Sequence, residues 1–158
     1  MRVMRTRRAA KAVSMKRILF PFDGSEAAQR AIGYVVSAFL GMRPLEVMLL
    51  NVQPPIPMRD LLFEGRPSEL HKLEAPLREA GGALLASAKR ALDVAGIENQ
   101  MHVEIGEPAQ VICDFAKRYH CELIAMGTRG MGAVSGLVLG SVATKVLHLS
   151  PVPVMLLR

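Results

Sequence analysis

At 158 residues the chain is long enough to bury one ordinary domain core without disulfides or metals, and neither an internal repeat nor a second domain is evident. Half of it is apolar, yet aromatics are only 4% and Trp is absent. Ala, Leu, Val, Ile and Met must therefore do the packing, as in helix-covered parallel sheets rather than aromatic-rich β-sandwiches. The formal charge of +6 sits almost wholly in residues 1–14, where Arg2, Arg5, Arg7, Arg8 and Lys11 meet no acid; elsewhere 15 bases face 14 acids, which offers no basic face to a nucleic acid.

Residues 1–14 admit three readings: a disordered basic extension, a targeting segment, or residues left by an upstream start. They lack the continuous apolar stretch of a secretory signal. Met15-Lys16-Arg17-Ile18 reads as a domain start, which favours an extension followed by a domain over 15–158. No run of 18 apolar residues occurs, so a cytoplasmic protein with no membrane span is expected.

In chain order, residues 17–22 (RILFPF) predict a short buried strand that stops at Pro21-Phe22-Asp23-Gly24. Ser25 is placed to cap a helix, with Ala28, Ile32, Val35, Val36 and Phe39 at helical spacing and Gly41 ending it. Residues 45–52 predict a second strand, and the Pro-rich run after it a loop over 53–66. A long helix is expected over 67–95, with Leu70, Leu73, Leu77, Leu84, Leu85, Ala88 and Leu92 on one face. Pro76 and Gly81-Gly82 should kink or split it, and Gly96 terminate it.

Alternation at Met101, Val103 and Ile105 predicts a strand over 98–105, suited to a sheet edge. Glu107-Pro108 opens a helix with a stripe of Val111, Ile112, Phe115, Ala116 and Tyr119. A fourth strand over 122–126, a glycine-rich loop over 127–139, a helix from Ser141 to Leu149 and a strand from Val152 to Leu157 complete the chain. Strands separated by helices must be parallel with right-handed crossovers. The expected fold is α/β: one three-layer, doubly wound domain whose ligand cleft lies at the carboxyl ends of the strands.

Cys113 and Cys121, eight apart and without CxxC spacing, read as small core residues in a reducing compartment. His71, His102, His120 and His148 lie on different elements without ligand spacing and read as surface residues, and the ten methionines as core filler.

The chemistry concentrates at residues 127–142. Gly127 and Gly130 follow the fourth strand, where a missing Cβ lets backbone N–H groups approach a ligand. Gly140-Ser141 opens the last helix, whose unpaired amides and dipole favour phosphate, and Arg129 can add charge. The segment is neither GxxxxGK[ST] nor a well-formed GxGxxG. On their own, loop glycines serve equally well to end a strand and cap a helix.

The spacing Gly127-x2-Gly130-x9-Gly140-Ser141 resembles the ATP-binding signature of the universal stress protein family. The resemblance extends to Ile18-Leu19-Phe20-Pro21-Phe22-Asp23-Gly24-Ser25-Glu26, to Gly106-Glu107-Pro108, to Leu123-Ile124-Ala125-Met126-Gly127 and to Pro151-Val152-Pro153-Val154-Met155-Leu156, and so covers 15–158. It implies a five-stranded parallel sheet of order 3-2-1-4-5, the adenine nucleotide alpha hydrolase-like arrangement. It also implies that Asp23 contacts the adenosine part and that Pro21 and Val52 line the adenine pocket, with Phe22 in the same motif. Met126, Gly127, Arg129, Gly130, Gly140, Ser141 and Val142 would surround ribose and phosphates of ATP, or of AMP or ADP, with Mg²⁺ or Mn²⁺ held through the phosphates. Independently, a carboxylate at a strand end such as Asp23 can accept two hydroxyls or, alternatively, cap the turn before the first helix. Two departures stand out: Phe22 replaces a smaller aliphatic residue, and loop 131–139 carries no charge.

No general base or water-positioning group and no GxSxG elbow is identifiable, so the reading is a regulatory nucleotide binder with turnover slow or absent. A nucleotide-free homodimeric interaction module ranks second, and an adenylyl- or phosphoryl-transfer enzyme third. The apolar terminal strand Val152–Leu157 closes the element order, which places it at a sheet edge. The resemblance implies a homodimer through antiparallel pairing there.

Overall fold

The computed structural model describes residues 16–57, 70–128 and 139–158. Strands β1 (Arg17–Pro21), β2 (Glu46–Gln53), β3 (Glu98–Ile105), β4 (Leu123–Gly127) and β5 (Val154–Leu157) alternate with helices α1 (Glu26–Phe39), α2 (Leu70–Val94), α3 (Pro108–Arg118) and α4 (Ser141–Leu149). All neighbouring strands pair parallel in the order β3-β2-β1-β4-β5, the doubly wound arrangement that the sequence implies.

Successive strand residues point to opposite faces, and each face feeds a separate core. Ile18, Phe20, Val47, Leu49, Leu123 and Ala125 meet α1 and α2, whereas Leu19, Met48, Leu50, Ile124 and Met126 meet α3 and α4. Both faces are covered, which is why these strands read as continuous apolar runs.

The helix ends follow local chemistry. Ser25 sits in extended geometry and its Oγ accepts the Ala28 amide at 3.2 Å. Glu107 does the same for the Gln110 amide at 2.9 Å, with Pro108 in the first turn of α3. Gly96, with φ +66°, ends α2 in a Schellman arrangement: its amide donates to Asp93 and that of Ile97 to Leu92. β5 starts two residues later than expected, because the Ser150 hydroxyl turns back onto Val152 and holds it in a bend. Both cysteines are unpaired and buried against α3 and α4. Burial raises both thiols, Cys121 to about 11, so they stay protonated core residues.

Three expectations need correction. The first is the break in α2, which runs unbroken from Leu70 to Val94 with Pro76 inside it. Packing of Leu85, Ala88 and Leu92 outweighs the local cost of Pro76 and the glycines. Gly81 is there for space rather than for a break: a Cβ would lie 2.6 Å from Val103 Cγ1 and 2.7 Å from Asn51 Oδ1, whereas one on Gly82 would meet nothing within 4 Å. The second is Leu84, placed above on one face with Leu85, Ala88 and Leu92: those three are buried, but Leu84 is 36% exposed and lies over the Gly24 turn. The side chain of Leu70 and residues 67–69 lie outside the described residues.

The third is His102. His71, His120 and His148 are exposed, but His102 is half-buried on the α3 side of edge strand β3. Its ring centroid lies 5.0 Å from that of Phe115 and 5.2 Å from that of Tyr119, and its Nε2 is buried without a hydrogen-bond partner. Burial lowers the His102 pKa, against the opposing pull of Glu104 and Glu46.

Two measurements follow from this packing. In urea unfolding, Gly82→Ala should stabilise by about 0.5–1 kcal/mol through helix propensity, while Gly81→Ala should destabilise by about 1–3 kcal/mol through overpacking; equal shifts would refute the close contact. The lowered His102 pKa means that the unfolded chain takes up the proton first on acidification. Stability should therefore fall as pH drops below about 6.5, down to the folded-state pKa. His102→Phe should flatten that slope in denaturant midpoints taken across the window, and an unaltered slope would count against the buried imidazole.

Candidate functional site

The sheet order reverses between β1 and β4. From β1 the chain crosses through α1 to β2 on one side, and from β4 through α4 to β5 on the other. The β1–β2 ladder continues to Pro21 opposite Leu50, but the β1–β4 ladder ends at Leu19 opposite Ile124. Beyond it the two strands part at their carboxyl ends, where doubly wound sheets hold ligands.

One wall is the turn after β1. Pro21 is half-buried at the strand's last position. Phe22 drives its ring into the core shared by α1 and α2, its amide donates to the Leu50 carbonyl at 2.8 Å, and its carbonyl accepts Asn51 Nδ2 at 2.8 Å. Phe22 thus serves as scaffold with both main-chain groups engaged. Asp23 Oδ1 accepts the Ser25 amide at 3.0 Å, so the turn-capping role weighed above for Asp23 is realised.

The opposite wall comes from β4 and α4. Met126 is buried and Val52, at the end of β2, is half-buried, both on the α3–α4 side of the sheet. Gly127 ends β4 directly beneath α1: a Cβ there would lie 3.3 Å from the Ala27 carbonyl carbon and 3.4 Å from its oxygen. The missing side chain lets the first turn of α1 settle onto β4, a structural need the sequence reading did not foresee. The next residue, Thr128, was also missed. It is buried, its amide donates to Leu157 at 2.9 Å and its carbonyl accepts the Gly140 amide at 2.8 Å, which ties the two ends of the glycine-rich loop together. No sequence signal marks that bond, since it is made through the main chain.

Gly140 is the N-cap of α4 and supplies no capping side chain. The first intrahelical bond runs from the Thr144 amide to Gly140 at 2.9 Å, so the amides of Ser141, Val142 and Ala143 precede the helix's own acceptors. Ser141 is exposed and Val142 half-buried against the α3–α4 core. Such an end stabilises an anion by about 0.3–1 kcal/mol at an exposed position. Lys145, in the first turns of α4, is engaged elsewhere: its Nζ lies 3.0 Å from Glu107 Oε1. The Gln110 amide and then Lys145 hold the Glu107 carboxyl below its usual range. Arg129 and Gly130, expected at the phosphates, and loop residues 131–138 lie outside the described residues. Among the described residues no group of three or more His, Cys, Asp or Glu is placed to hold a metal.

The family model described as "Universal stress protein family" matches residues 15–158. The chain is 32% identical over 143 residues to universal stress protein Sll1654 of Synechocystis, covering 90% of this chain and 85% of that one. It is similar to the solved structure of hypothetical protein MJ0577 of Methanocaldococcus jannaschii, with a TM-score of 0.76, 29% identity and coverage of 92% of this chain and 96% of that one. It shares its fold with an Arabidopsis thaliana family protein solved with AMP bound, at a TM-score of 0.65 and 18% identity, with 90% of each chain covered. A parallel sheet of order 3-2-1-4-5, with these motifs at the ends of β1 and β4 and a family match across both, places the chain in the universal stress protein family.

Proposed function

We propose that this protein binds an adenine nucleotide, ATP foremost, in the crevice between β1 and β4, and serves as a regulatory stress-response component of the cytoplasm rather than as a catalyst. The observation that carries the reading is the start of α4: an N-cap without a side chain, with first-turn amides facing away from their own helix, at the point where the sheet order reverses. In this reading Asp23 accepts ribose hydroxyls, and Pro21 and Val52 flank the adenine. Met126, Gly127, Gly140, Ser141 and Val142 enclose ribose and phosphates, joined by Arg129 and Gly130 from the loop. Mg²⁺ or Mn²⁺ enters with the phosphates. The AMP in the Arabidopsis protein belongs to that protein, and it supports an adenine nucleotide as the ligand class here.

Storage rather than turnover fits the groups at hand. The carboxylate at the crevice is tied to its own turn, and Lys145 is paired with Glu107. No described helix is long and apolar enough to cross a membrane.

A second reading, a nucleotide-free homodimer, draws on β5. This strand ends the sheet order, and the preceding α4 exposes Leu147 at 43% and Leu149 at 52%. We expect β5 to pair with its copy in either reading, so the ligand separates the two.

Calorimetric titration with ATP and Mg²⁺ should give a Kd below about 1 mM; weaker binding by the intact protein would sink the nucleotide reading. Asp23→Asn keeps an acceptor for the Ser25 amide and removes the charge, and should weaken binding about tenfold. Light scattering at micromolar concentration should report the mass of a dimer, and a monomer would exclude pairing through β5.

A further inference from the structure

Asn51 and Thr128 are the two buried polar side chains among the described residues, and Asn51 is 2% exposed. A buried amide must find partners inside the protein, and one of those of Asn51 lies in the turn that precedes Asp23. Its Nδ2 donates to the Phe22 carbonyl at 2.8 Å, and its Oδ1 accepts Gln53 Nε2 at 2.6 Å. The Phe22 carbonyl can only accept, which fixes the orientation of the Asn51 amide. On its other side Phe22 donates its amide to Leu50 at 2.8 Å. Both main-chain groups of Phe22 are therefore held by β2, one residue before Asp23. Gly81 of α2 leaves the room this requires, since a Cβ there would fall 2.7 Å from Asn51 Oδ1.

We propose that Asn51 is the positioning residue of the nucleotide site: through the Phe22 carbonyl it sets where Asp23 stands, with Gln53 orienting it and Gly81 making space. The inference rests on the nucleotide reading for its consequence and on the clamp alone for its geometry. Asn51 does not touch the ligand. Its effect is on affinity through the placement of Asp23, beyond any effect on stability.

The test uses the full chain and three variants, Asn51→Leu, Asn51→Asp and Gln53→Ala, with two readouts taken where each is folded. The first is Kd for ATP with Mg²⁺; the second is hydrogen exchange at the Phe22 and Ser25 amides in the ligand-free protein. Asn51→Leu should bind about tenfold more weakly, as expected for one lost buried hydrogen bond, and exchange faster at both amides. Asn51→Asp should be weak near neutral pH and recover as its carboxyl protonates, because the acid O–H can then donate to the Phe22 carbonyl. Asn51→Leu should show no such recovery relative to wild type. Gln53→Ala, at a half-buried position, should give a smaller loss of the same kind and decides the matter should Asn51→Leu not fold. Wild-type Kd and exchange rates in the folded variants would overturn the inference, even with a lowered Tm. If the wild type fails to bind ATP while the variants still exchange faster, the nucleotide reading falls and the clamp stands.

Discussion

Strand β1 is the constraint on which the rest depends. Ile18, Leu19 and Phe20 have no exposed surface, and their side chains alternate between the α1–α2 core and the α3–α4 core. Each fully buried side chain of this kind contributes about 1.5–3 kcal/mol, so neither helical layer can be lost without exposing part of β1. Because the sheet order reverses beside β1, the chain leaves β1 toward β2 on one side and β4 toward β5 on the other. The crevice is the gap where those two departures diverge.

Close approach, more than backbone flexibility, explains two of the glycines nearest that gap. Gly127 has α1 main chain where a side chain would sit, and Gly81 has Asn51 and Val103. Both let a helix settle nearer the sheet than a Cβ allows. One sets the height of α1 above β4, and the other leaves the Asn51 amide space to hold the turn at Asp23. The backbone bond from Gly140 to Thr128 closes the opposite wall in the same manner, without a side chain. Among the described residues, main-chain bonds thus tie both walls of the crevice to the sheet.

Much of this was legible along the chain. Ser25 and Glu107 sit where capping residues belong, Pro108 and Gly96 mark a start and a stop, and the strands carry the apolar runs of a sheet covered on both faces. The family resemblance then supplied strand order and candidate residues, because its motifs fall at strand and helix ends. Where the reading failed, a local rule met a distant contact. Pro76 and Gly81-Gly82 look like a break, but α2 is held by what it packs on. His102 looks like one polar residue on an edge strand, but Phe115 and Tyr119 arrive from α3 to cover it.

By itself the sequence determined the class of fold, the order of its elements and the place of the glycine signature, since periodicity, caps and turn residues act within a few positions of one another. Tertiary structure alone decided that Phe22 is scaffold, that Asn51 holds its carbonyl from 29 residues away, and that the Cβ space of Gly127 belongs to α1. Such contacts join segments far apart in the chain, and their partners become neighbours only when the sheet closes and both cores fill.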